Sequence, residues 1–151
     1  EMEARLAREG DFDCFLLAGR YTLLDHQALP EFLPLCQEKN ISVIIGGPYN
    51  SGILASDLTE SATFNYVAAQ PEVLDRARRC KDVCDRHGVP LKAAALQFVF
   101  GHPAVTAAIP GPRSAAEAEE NFQMMAHSIP AALWEELRHE GLIPAEAPTP
   151  A

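Results

Sequence analysis

Apolar residues along this chain fall into short continuous runs separated by longer stretches with helical spacing. The runs FDCFLLA (12–18), SVII (42–45) and AVTAAI (104–109) are what parallel strands covered on both faces require. Between and after them lie helical patterns. Residues 71–88 open on Pro71 and close on Gly88, and Val73, Ala77, Cys80 and Cys84 share one helix face. Residues 90–101 are apolar nearly all round, so the spacing predicts a buried helix. Residues 114–126 begin with Ser114 three places before Glu117, the capping-box spacing, and 130–141 form a last helix. Residues 1–9 read as the end of a helix stopped by Gly10. In 30–39, Pro34 predicts a kink or a later helix start.

Strands that alternate with helices, without an Asn-Gly type hairpin signal between neighbouring strands, make βα units and a parallel sheet. The expected fold class is α/β. The pattern alone leaves open whether the sheet is doubly wound or an arc of a barrel. Residues 1–143 are read as one folding unit, and PAEAPTPA (144–151) as a disordered tail too rich in proline to pack.

Composition narrows the function classes. Of 151 residues 48% are hydrophobic, enough for a real core. The 21 acidic against 12 basic residues give a net charge of −9, which repels nucleic acid and anionic membranes and argues against both as partners. No segment has the roughly 20 apolar residues of a membrane span, and the charged start EMEARLAREGDFD is not a signal peptide, so a soluble, cytoplasmic protein is expected. Cys14, Cys36, Cys80 and Cys84 lack a paired C-x-x-C spacing and read as buried free thiols. No metal site is expected.

Two loops carry chemical information. GGPYNSGIL (46–54) follows the second strand and PGPRSAAEAEEN (110–121) the third, both at carboxyl ends of parallel strands, where ligands bind in open sheets and barrels alike. Glycine lets a backbone approach a phosphate. The helix start near Ser114 offers unpaired N–H groups, and Arg113 adds a two-pronged donor.

RYTLLDH (20–26), IIGGPYNSGIL (44–54) and AIPGPR followed by EEN (108–121) resemble, in order and spacing, the last three strand-end regions of the aldo/keto reductases. The resemblance covers 10–121 and is nearest to the branch of D-threo-aldose 1-dehydrogenase and L-fucose dehydrogenases. It implies the last three βα units of a (β/α)8 TIM barrel with a C-terminal helix. It also implies an NAD(P)-dependent oxidoreductase acting on a small sugar or aldehyde. By resemblance, Tyr21 ends the sixth barrel strand near the nicotinamide. Gly47, Pro48, Tyr49, Ser51 and Gly52 wrap the pyrophosphate, with Gly46 where many relatives carry a stacking tyrosine. Pro110, Gly111, Arg113, Glu117, Glu120 and Asn121 hold the adenosine end.

The family's catalytic tyrosine, lysine, aspartate and histidine come from earlier strands, and nothing here corresponds to them. His26, His87, His102, His127 and His139 read as structural or solvated. The chain thus reads as part of a protein of about 300 residues, with the missing N-terminal half-barrel as partner. A non-catalytic dinucleotide-binding or assembly half-barrel is the alternative. Phe64, Tyr66 and Trp134 are the aromatics available to line a substrate pocket or simply to pack. Glu117 favours the free ribose diol of NAD, whereas Arg113 would suit the 2′-phosphate of NADP, and the balance leans to NAD.

Overall fold

The computed structural model describes residues 2–150. Three parallel strands, β1 (Cys14–Ala18), β2 (Ser42–Gly46) and β5 (Val105–Ile109), form one sheet in the order β1-β2-β5. Cys14 is in register with Ser42, and Gly46 with both Ala18 and Ile109. Among the described residues six α-helices accompany the sheet: α1 (Met2–Glu9), α2 (Phe32–Glu38), α3 (Pro71–Arg86), α4 (Leu91–Phe98), α5 (Ala115–Ala126) and α6 (Ala131–His139). Every strand run and helical pattern of the sequence is found. The sheet is an unclosed arc of three strands.

One sheet face is covered and the other is open. Leu17, Val43 and Ile45 are buried on the helix side, where α2 packs on β2 and the buried apolar residues of α3 and α4 complete the core. On the opposite face the in-register row Ala18–Gly46–Ile109 lies beside Leu16–Ile44–Ala107; Leu16 is 59% exposed and Ile109 50%.

Local chemistry explains the element ends. Pro34 falls in the first turn of α2, which starts at Phe32; a missing N–H costs nothing there, and the helix shows the later start rather than a kink. Gly88 takes φ +66° after α3, and Val89 N–H returns to the Cys84 carbonyl, closing the helix with a left-handed residue. Lys39 donates to the carbonyls of Ala7 (2.6 Å) and Gly10 (3.2 Å), placing a cation at the carboxyl end of α1.

Two expectations are corrected and one element is added that the spacing did not predict. Cys14, expected to be buried with the other three thiols, is exposed at the start of β1. A short antiparallel hairpin, β3 (Thr63–Phe64) and β4 (Val67–Ala68), turns through Asn65 and Tyr66, both at positive φ. This is the geometry of a two-residue primed turn with tyrosine at the place where glycine is usual, so the Asn-Gly signal was absent. The tail expected to be unpacked also folds back. Ala147 is buried, and Arg138 donates to the Ala147 carbonyl (3.0 Å) and the Thr149 hydroxyl (2.9 Å). Proline bars this segment from helix and sheet. It does not bar an extended strap whose carbonyls are met by a side chain.

Among the described residues, no helix is long and apolar enough to cross a membrane.

Candidate dinucleotide site

The two glycine-bearing loops meet at the carboxyl end of the sheet. Gly47 N–H donates to the Ile109 carbonyl (3.1 Å), joining the loop after β2 to the end of β5. Asn50, Ser51 and Gly52 then follow with φ of 47°, 58° and 96°, a left-handed run that turns the chain into a 3₁₀ turn, Ile53–Ala55. Asn50 holds this run in place. Its side-chain oxygen accepts from the Thr22 hydroxyl (2.5 Å) and its amide donates to the Gly19 carbonyl (3.5 Å), so the loop after β1 braces the loop after β2. The expected site residues did not include Asn50; its signal was its place before Ser-Gly, since asparagine tolerates positive φ.

Tyr49 carries the connection across the site. Its hydroxyl donates to the Asn121 side-chain oxygen (2.8 Å), 72 residues further along, and Lys92 Nζ stands 5.5 Å from its ring centroid. Burial, with the Glu120 carboxylate adding to it, pushes the Tyr49 phenol above its ordinary range, so it stays protonated and able to donate. Lys92 is paired with Glu120 at 2.5 Å. The expected site residues did not include Lys92; its signal was that it is the one charged residue in the nearly apolar helical segment 91–101.

The helix start after β5 forms the first half of the capping box, while its returning carboxylate bonds one residue before the cap. Ser114 Oγ accepts from Glu117 N–H (3.2 Å), while the Glu117 carboxylate accepts from Arg113 N–H (2.7 Å) and from its guanidinium (3.2 Å). These contacts, the backbone one first, hold the Glu117 carboxyl below its usual range. Arg113 is otherwise open to solvent.

Together these elements line a cleft of about 660 Å3. Gly47, Tyr49, Ser51, Gly52, Pro110, Gly111, Arg113, Glu117, Glu120 and Asn121 all face it, joined by Tyr66 and Lys92. Three expected residues do not. Pro48 is buried beneath the loop, and Gly46 belongs to the open sheet face, where an added Cβ would lie 3.3 Å from Leu16. Tyr21 is fully buried, its ring 5.3 Å from Phe98 and 6.0 Å from His102, with its hydroxyl unpartnered. In this chain it plugs the core under the strand ends. Trp134 is likewise core, packed on Phe98, and among the described residues no histidine lines the cleft.

Around this cleft stand the glycine-bearing loop backbones, the Ser51 hydroxyl and the cations Lys92 and Arg113, each paired with a carboxylate. The model of the Aldo/keto reductase family matches residues 2–139. The chain belongs to the aldo/keto reductase family. It is 45% identical over 135 residues to the pyridoxal 4-dehydrogenase of Microbacterium luteolum, covering 89% of this chain and 40% of that protein. It is 38% identical over 141 residues to a D-threo-aldose 1-dehydrogenase of a Pseudomonas species, covering 93% and 43%. An aldo-keto reductase from Bacillus halodurans, in its apo form, superposes with a TM-score of 0.71 at 21% identity, over 95% of this chain and 47% of that one. The fold is therefore part of a (β/α)8 barrel, and the chain spans less than half the length of these relatives.

Proposed function

We propose that this chain forms the dinucleotide-binding side of an NAD(P)-dependent oxidoreductase acting on a small hydroxylated aldehyde or sugar. The observation that carries the reading is the convergence of the loops after β2 and β5 on one cleft, tied by the Tyr49–Asn121 bond. When bound, the nicotinamide cofactor supplies or accepts the hydride. This chain's residues bind and orient it. Ser51 and the loop amides meet the pyrophosphate beside the Lys92–Glu120 and Arg113–Glu117 ion pairs, and Asn121, oriented by Tyr49, keeps its amide nitrogen for the adenine edge.

The proton donor and its lysine, aspartate and histidine partners would come from strands outside this chain, so the chain alone is expected to bind without turning over. The pyridoxal and D-threo-aldose named for the two relatives support a small polar carbonyl or lactol substrate. The test is cofactor titration and steady-state turnover in the full-length protein. NAD or NADP should bind at this cleft and aldehyde or sugar should turn over. Loss of dinucleotide affinity in Arg113→Glu, whose side chain is 89% exposed so that thermal stability is kept, is the supporting result; failure of the wild-type protein to bind either cofactor would overturn the reading.

A further inference from the structure

The β3–β4 hairpin stands outside the two loops that define the site, yet its tip reaches the cleft. Tyr66 lines it while remaining 92% exposed, the most open of the large apolar side chains. Its backbone sits at φ 64°, where glycine would be relaxed and a tyrosine is strained. Two contacts bolt this turn to the loop after β2: Tyr66 N–H donates to Ser51 Oγ (3.0 Å), and the Thr63 hydroxyl donates to the Ser51 carbonyl (3.0 Å). A hydroxyl has one hydrogen and two acceptor sites. With one acceptor site of Ser51 taken by the hairpin, its hydrogen is free to reach an anion in the cleft.

A solvent-exposed aromatic ring held over a cleft by a strained, doubly tethered turn offers a flat surface to a ligand rather than to the core. We propose that Tyr66 is a stacking lid for the adenosine diphosphate half of the bound dinucleotide, and that Ser51 positions it through the Tyr66 amide. The choice of half follows from the neighbours. Tyr66 shares the cleft with Gly111, Arg113 and Asn121, whereas Tyr21 and Gly46, at the nicotinamide end by resemblance, lie outside it. The inference rests on the proposed dinucleotide function.

The test is calorimetric titration of ADP and of NADH into the full-length protein and its variants. Tyr66→Ala should weaken ADP roughly tenfold, in the range of one ring stacked on one base, and weaken NADH by the same factor. Tyr66→Phe should keep wild-type affinity, because the ring and not the hydroxyl is used. Tyr66→Gly relaxes the turn, so it should melt no lower than wild type and still bind ADP as weakly as the alanine variant; this separates the ring from the fold. Unchanged ADP affinity in Tyr66→Ala, or wild-type affinity in Tyr66→Gly, would overturn the lid. A loss confined to NADH would move the ring to the nicotinamide half and overturn the assignment. A wild-type protein that binds neither probe defeats the dinucleotide reading itself, whereas one that binds both, indifferent to Tyr66, defeats only this inference.

Discussion

Glu117 has two tasks that the sequence could not separate. On the proposed dinucleotide reading, a carboxylate beside the ribose would repel a 2′-phosphate and suit a free diol, and in the fold it is also clasped to Arg113 by two hydrogen bonds. That pairing would neutralise the arginine that favours NADP, so on that reading both effects of Glu117 predict a preference for NAD. Glu117→Arg removes the repulsion and releases Arg113. In the full-length protein it should raise the NADP-to-NAD ratio of kcat/KM by roughly tenfold or more, about 1.4 kcal/mol. A ratio that stays put would reduce Glu117 to a helix cap. A second residue sets a pH limit. His26 lies against Phe98, and Arg76 approaches its Nδ1 at 3.3 Å, a contact in which Nδ1 can only accept. Burial first, then Arg76, lowers its pKa from 6.5 to about 4. Between those values the unfolded chain binds a proton that the folded chain refuses, so stability is full above about 6.5 and falls as the pH drops toward 4. The loss, discounted for partial exposure, is about 2 kcal/mol. Thermal midpoints measured from pH 7 to 4 should fall in the wild type and fall less in His26→Gln; equal slopes would place the acid sensitivity elsewhere.

Elements that rest on hydrophobic periodicity were legible, and those that rest on a single backbone contact were not. The three strands and the helices α3 to α6 follow from apolar spacing, proline at a helix start and glycine at its end, all local in sequence. The hairpin at 63–68 was missed because Tyr66 stands where the turn favours glycine. Its tether, Ser51, is 15 residues away. The carboxy-terminal strap was missed for the same reason: its stability comes from Arg138 and from Gly101, on another element. A Cβ on Gly101 would come within 2.4 Å of the Pro148 carbonyl oxygen and 2.6 Å of Thr149 Cα, so the strap crosses where only glycine leaves room. Gly101→Ala must push backbone aside rather than a flexible side chain, and should destabilise the fold by about 1–3 kcal/mol. Deleting residues 147–151 from that variant should recover part of the loss, because the clashing segment is gone. If Gly101→Ala unfolds at the same denaturant concentration as wild type, the strap is not packed in solution. Of the site, the loop residues were readable from glycine, proline and charge after strand ends. Tyr66 was among the aromatics named for a pocket and lines this one, whereas Asn50 and Lys92 join the site only through tertiary contacts.

The whole molecule is an arc with one finished face. Helices cover the side of Leu17, Val43 and Ile45, but the side of Leu16, Ile44 and Ile109 has no cover among the described residues, and β1 and β5 are both edge strands of the sheet. Edge strands present unpaired N–H and C=O groups, and a contiguous apolar face beside them favours association over solvation. In a complete barrel both would be satisfied by further strands. Expressed by itself, the 151-residue chain is therefore expected to self-associate, and the open face should drive it. Leu16→Glu with Ile109→Lys places charges on that face without touching the helix side. Because both side chains are already half exposed, the pair should leave the thermal midpoint nearly unchanged. It should also weaken association at least tenfold, since each of these side chains is worth about 1.5–3 kcal/mol when fully buried. Size-exclusion with light scattering over a concentration series reads the difference directly. A wild-type chain that stays monomeric and unfolds cooperatively at every concentration would mean that the open face is tolerated by water, and the barrel's remaining strands would then be needed for chemistry rather than for stability.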